Sequence, residues 1–162
     1  MKTLFCCLFV TLLVNACSSP TSSNTGNGSL TATFTLTDST GKRVDHLHSG
    51  EAFVLSFMLI NYTKDTLISH DMFMQPVIFR ILESDSTVAT SIDGFVFQQW
   101  MLGWHIAPGD SLQDKWIAST TPPKFYSEVV LRPGTYIATV AFPNFQQGKV
   151  NPVSPIIFFI TQ

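Results

Sequence analysis

The side chains able to do chemistry are few and far apart in this sequence. His46 and His48 stand two residues apart. On an extended backbone that spacing puts both imidazoles on one side, as some metal sites require. His70-Asp71 could complete a ligand set, but no thiolate accompanies them. Turn residues flank His46 and His48, so solvated loop histidines and no bound metal are expected. Ser, His and Asp all occur, yet no Ser sits in a Gly-x-Ser-x-Gly elbow. Paired carboxylates, a Gly-rich phosphate loop and a Cys/His couple are equally missing from the sequence. The expectation is a protein that is not an enzyme and uses no cofactor.

The segment Phe95–Trp104 (FVFQQWMLGW) points instead to binding. Phe95 and Phe97 share a face and suit a core. Trp100, Met101 and Trp104 are harder to hide, because Gly103 and Pro108 predict irregular backbone around them. Trp and Met favour protein interfaces, and Trp also stacks on sugars. Two roles follow for Gln98–His105: an exposed binding loop, or a cap over one end of the fold. As a loop it would take a protein of the cell envelope, with Gln98 and Gln99 as polar neighbours of the aromatic anchors. An exposed sheet edge, extended by strand addition, is a second route to the same kind of partner. The alternative ligand is a glycan or small molecule held by Trp100 and Trp104.

Cys17 carries a different chemistry. Lys2 and the apolar run Leu4–Val14 form a secretory signal too short to span a bilayer as a mature helix. Val14-Asn15-Ala16-Cys17 is similar to a bacterial lipobox, in which the signal, residues 1–16, is cut away and Cys17 receives acyl chains such as palmitate. Several acyl chains hold a protein on a membrane far better than one. Cys6 and Cys7 leave with the signal, so the mature chain has no intramolecular disulfide. Ser18–Ser29 (SSPTSSNTGNGS) lacks charge and large apolar residues, and with Cys17 makes residues 17–29 a lipidated, flexible tether. It permits several nanometres of reach. Ser18 is not the Asp that retains lipoproteins at an inner membrane, and the tether has no acidic run. In a cell that has an outer membrane, the expected address is therefore its periplasmic face. A net charge of −2 offers no basic field for nucleic acid.

The elements that must position these residues read as strands. Leu131–Phe142 (LRPGTYIATVAF) alternates with period two and is apolar on both faces, as a central strand would be. Pro133-Gly134 ahead of it reads as a turn pair, with Gly taking a positive φ. Pro-Gly-x-Tyr entering a strand suggests a corner in which the Tyr136 hydroxyl returns to nearby backbone. Leu30–Asp38 alternates cleanly with Thr on its outer face. Gly50–Tyr62 is the longest apolar run of residues 30–162, with Phe53, Leu55, Phe57 and Leu59 on one face. Thr66–Ser69, Gln75–Leu82, Gly94–Gln98, Ser111–Ser119, Tyr126–Leu131 and Pro155–Thr161 are further strands, punctuated by Pro108-Gly109 and Pro122-Pro123. No stretch has a helical period. The expected fold of residues 30–162 is one all-β, immunoglobulin-like antiparallel two-sheet sandwich of seven to nine strands.

The order of these motifs resembles a known family. Gly50-Glu51 precedes a long apolar strand ending in Asn61-x-Thr63. Phe95-x-Phe97-Gln98 follows, then Ile106-x-Pro108-Gly109-Asp110-Ser111 leading to Trp116, then Leu131-x-Pro133-Gly134-Thr135-Tyr136. Over Leu30 to Phe142 this is similar to the intracellular proteinase inhibitor (BsuPI-like) domain family. The resemblance implies an immunoglobulin-like fold and, by the family's name, inhibition of a serine proteinase. The export signal departs from that intracellular setting.

Overall fold

The computed structural model describes residues 29–69, 75–93, 103–118, 131–145 and 153–162. Among these residues there are ten strands and no helix. Strand β3 (Phe53–Asn61) organises the first sheet, because buried and half-buried residues alternate along its whole length. It lies between β1 (Leu30–Asp38) and β8 (Ser111–Ala118), antiparallel to both. Register aligns the inward residues in rows: Phe34, Phe57 and Asp114 form one, Leu36, Leu55 and Trp116 the next.

The second sheet has five strands in the order β2 (His46–His48), β10 (Ile156–Thr161), β9 (Gly134–Ala141), β5 (Ile78–Glu83) and β6 (Ser86–Thr90). β9 is its central strand. That explains a sequence apolar on both faces: Tyr136 and Ala138 are buried, while Ile137 is half-buried on the other side. β2 runs parallel to β10, so this sheet is mixed and not wholly antiparallel. A two-stranded ribbon pairs β4 (Leu67–Ser69) with β7 (Trp104–Ile106).

The two large sheets pack face to face as an immunoglobulin-like sandwich. Aromatic rings span the gap: Phe34 to Phe79 at 6.1 Å, Phe57 to Phe142 at 4.8 Å, Phe53 to Phe158 at 5.7 Å and Trp116 to Phe79 at 6.5 Å. These separations suit aromatic pairs, and each fully buried Phe contributes about 1.5–3 kcal/mol by leaving water. The ring pairs also orient the molecule. Leu30, Asn61 and Ser111 lie at one end, here the entry end, because the chain enters β1 there. Asp38 and Phe53 mark the far end. Tyr136 stacks on Phe158, itself against Phe53, so β9 starts at that end too. So does the β5–β6 hairpin, whose turn residues Ser84 and Asp85 take φ of 46° and 67°. Two successive positive φ values match the twist that a two-residue hairpin needs.

The strand expected at Gly94–Gln98 lies outside the described residues, as does all but Leu131 of the one expected at Tyr126–Leu131. β2, β6 and β7 are strands where none was expected.

Candidate functional site

The entry end is built on Asn61. β3 ends there, and its last side chain on the inward side is an amide, fully buried. Burial demands that each polar atom find a partner. The Nδ2 group donates to the Asp65 carbonyl at 2.8 Å and the Ile106 carbonyl at 2.9 Å. The Oδ1 atom accepts from the Thr63 N–H at 2.9 Å and the Thr63 hydroxyl at 2.6 Å. The Asn61 backbone adds bonds from the Gly109 N–H at 2.8 Å and to the Asp110 carbonyl at 3.0 Å. Gly109 takes φ +83°, which glycine adopts without strain. One residue thus ties the turn after β3 to the connection between β7 and β8. Tyr62, the next residue, is 57% exposed, and its N–H donates to the Ser29 carbonyl at 3.2 Å. In the sequence, Asn61-x-Thr63 reads as the end of the long apolar strand; an Asn two residues before Thr is the available sign of side-chain capture.

The aromatic segment joins this end through β7. Trp104 opens that strand, opposite Ser69 of β4, and is half-buried against the core. This corrects the expectation of irregular backbone at Trp104: an isolated strand of three residues has too short a pattern to read. Gly103 suits its place for a reason other than flexibility. A Cβ there would stand 3.2 Å from the Ser69 carbonyl, so the backbones approach closely. Gln98, Gln99, Trp100 and Met101 lie outside the described residues, as does Cys17.

The far end gathers the other candidates. His46 and His48 flank the buried Leu47 on β2, so both imidazoles face outward from the five-stranded sheet. They stand on a strand and not in a loop. His46 Nδ1 lies 2.9 Å from Asp45 Oδ1, and its ring stacks on Phe159 at 4.9 Å. That bond to His46 holds the Asp45 carboxyl below its ordinary value. His48 Nδ1 is 3.1 Å from the Thr161 hydroxyl and 3.3 Å from the Gln162 carbonyl. His70 and Asp71 lie outside the described residues, among which no group of three His, Cys, Asp or Glu could hold a metal ion.

Tyr136 is buried, and its hydroxyl donates to the Arg132 carbonyl at 2.9 Å. Burial, with the Glu83 carboxylate nearby, pushes the phenol above its usual range, so it stays a donor. Pro133 is exposed ahead of β9. Gly134 is already the first residue of β9, paired with Ile160, and its φ is not positive. The turn role expected of Gly134 is therefore not the one it fills. A Cβ there would meet Glu83 Oε1 at 3.5 Å, an ordinary contact, and nothing in the structure requires glycine.

The inward face of β8 holds a carboxylate that sequence reasoning did not single out. Leu112, Asp114, Trp116 and Ala118 alternate with exposed residues, so Asp114 points to the interior, beside Phe57. Burial pushes its carboxyl up, opposed by the Lys115 N–H, which donates to Oδ1 at 2.7 Å.

These observations define an immunoglobulin-like β-sandwich. No protein-family model and no curated protein matches the sequence. Among solved structures, a β-glucosidase from Listeria innocua in complex with glucose is similar at 9% identity and a TM-score of 0.44, over 83% of this chain and 16% of that one. An alkylpurine DNA glycosylase from Pseudomonas fluorescens is similar at 12% identity and a TM-score of 0.42, over 85% of this chain and 32% of that one. A CARDB domain from Pyrococcus furiosus is similar at 6% identity and a TM-score of 0.39, over 82% of this chain and 95% of that one. The chain thus spans 16% of the glucosidase and 32% of the DNA glycosylase.

Proposed function

We propose that this chain is a lipid-anchored, non-catalytic interaction module of a bacterial cell envelope, which acts by binding an envelope protein. The observation that carries the reading is a junction. Val14-Asn15-Ala16-Cys17 presents a lipidation signal, uncharged Ser18–Ser29 follows, and β1 begins at Leu30. The layout is anchor, link, then domain. The resemblance to the proteinase-inhibitor family makes inhibition a special case of such binding. The aromatic residues of 98–104 supply the anchors of the contact. Trp104 ends that segment, half-buried on β7; in this reading Trp100 and Met101, with Gln98 and Gln99 as polar neighbours, make the contact.

The test is capture from detergent-solubilised membranes by the tagged full-length chain, beside a Trp100→Ala/Met101→Ala variant. The wild type should retain a reproducible protein partner. Losing an aromatic hot spot costs about 2–4 kcal/mol of affinity, so the variant should lose that partner while its melt is unchanged. A folded variant that still captures it would move the binding surface to the sheet edges. In parallel, Cys17→Ser should abolish incorporation of labelled fatty acid; label on that variant would sink the anchor.

A further inference from the structure

Resting on the lipid-anchor reading, we infer that the entry end of the sandwich seats on the membrane that holds Cys17, with Tyr62 at headgroup depth. Ser29, the last residue before β1, has its carbonyl on the Tyr62 N–H at 3.2 Å. The point at which the chain leaves the sandwich toward Cys17 therefore lies beside Tyr62. Ser18–Ser29 is twelve residues long, and even fully extended such a link spans no more than about 40 Å. Lipidation at Cys17 thus keeps this end within about 40 Å of the bilayer, whereas the far end can stand up to about 70 Å away. The far end lies a further β3 away, nine residues or about 30 Å of strand.

The chemistry of the entry end suits a lipid surface. Tyr62 is 57% exposed, and an apolar ring with a polar tip is the side chain favoured where acyl chains meet headgroups. Lys64, exposed in the same turn, can reach a lipid phosphate. Asp65 and Asp110 share this end and are also exposed, so no net basic charge draws it to anionic lipid. The contact is carried by the ring and should depend little on salt. The Asn61 hydrogen bonds hold the turn in shape, so seating Tyr62 orders little new structure. One exposed ring does not hold a free protein on a bilayer. Joined to an acyl anchor by a short link, it meets the surface at millimolar effective concentration.

The test uses the full-length lipoprotein in phosphatidylethanolamine/phosphatidylglycerol vesicles that carry a headgroup-level quencher. A fluorophore is placed on Asp65→Cys at the entry end or on Asp85→Cys at the hairpin of the far end. Quenching should be at least about twofold stronger at position 65, and insensitive to salt. Adding Tyr62→Ser should lower it to the level at position 85, while Tyr62→Trp should preserve it; melts of both variants report that the turn is intact. Acyl mass on Cys17 and flotation with vesicles are read first. A chain without acyl mass, or one that stays off the vesicles, overturns the anchor and this inference together. An acylated, floating chain quenched equally at positions 65 and 85, or unaffected by Tyr62→Ser, overturns this inference alone.

Discussion

Asn61 and Tyr136 sit at opposite ends of the sandwich, and each directs its polar atoms to backbone. Tyr136 makes one such bond, to the Arg132 carbonyl four residues before it. Asn61 uses both atoms of its amide, and its bond to Ile106 crosses 45 residues. The far-end corner is therefore a local device that fixes how one strand begins. The entry-end amide joins the end of β3 to its own turn and to the connection between β7 and β8. Both ends are closed by a polar group that gains its partners only on folding. The two differ in how much of the chain each gathers, and the same difference governs how well each reads from the sequence.

The comparison breaks first at Asn61. Asn61→Ala removes the donor from two carbonyls and the acceptor from Thr63 at a fully buried site. Leaving buried groups unsatisfied costs their desolvation, so the expected loss is about 3–4 kcal/mol, read as a fall in the denaturant midpoint at constant m. A loss below about 1 kcal/mol would mean that water replaces the amide, and the two ends would then be equivalent. Tyr136→Phe keeps the ring on Phe158 and removes one bond. It should cost about 1–2 kcal/mol. An unchanged melt would make Tyr136 ordinary packing.

Legibility followed sequence distance. The Tyr136 bond closes within five residues, so Pro133-Gly134-x-Tyr136 displays the whole device. The long alternations of β1, β3 and β9 were equally plain, because a period of two needs only several repeats to register. β2, β6 and β7 were not, for they are short and bury little: Leu47 in β2, Ala89 in β6, Ile106 in β7. Each is a strand because a neighbour pairs with it, and pairing across the chain leaves no local mark. The parallel run of β2 along β10 is of this kind. At Gly134 the error was the converse: a familiar dipeptide suggested a turn where the ladder to β10 had already begun. Of the site, the Trp104 side chain was readable as partly apolar surface, but its place on β7 depends on Leu67–Ser69, which no local pattern connects to it.

Asp114 sharpens the comparison from between the two ends, because its carboxylate faces the interior with the Lys115 N–H as partner, where the Asn61 amide makes four hydrogen bonds. It stands opposite Phe57, whose ring stacks on Phe142. Burial raises its carboxyl above the ordinary 3.8. The sign of the effect follows. Below 3.8 the carboxyl is protonated in both the folded and the unfolded chain, and burial costs nothing through this group. As pH rises through 3.8 to the raised folded value, the unfolded state ionises first, and stability falls. Above that value the loss is constant. Asp114→Asn removes the charge and keeps the shape, so it should stabilise the fold at pH 7 and not at pH 3. The site is partly open to water, so screening limits the gain to about 0.5 kcal/mol. Asp38 and Asp45 are shifted the other way, by hydrogen bonds from Thr40 and His46 respectively, and lose their contribution as pH falls. That loss is common to both chains and cancels in the difference. β8 is an edge strand among the described residues, and an inward charge on an edge discourages pairing with another chain. The variant should therefore also aggregate more readily during refolding. Denaturant midpoints of both chains at pH 3 and pH 7 decide the point: an equal difference at the two pH values would remove the ionised carboxyl as the cause. A less stable Asn variant at pH 7 would mean that the charge at Asp114 is favourably held after all, as the amide of Asn61 is.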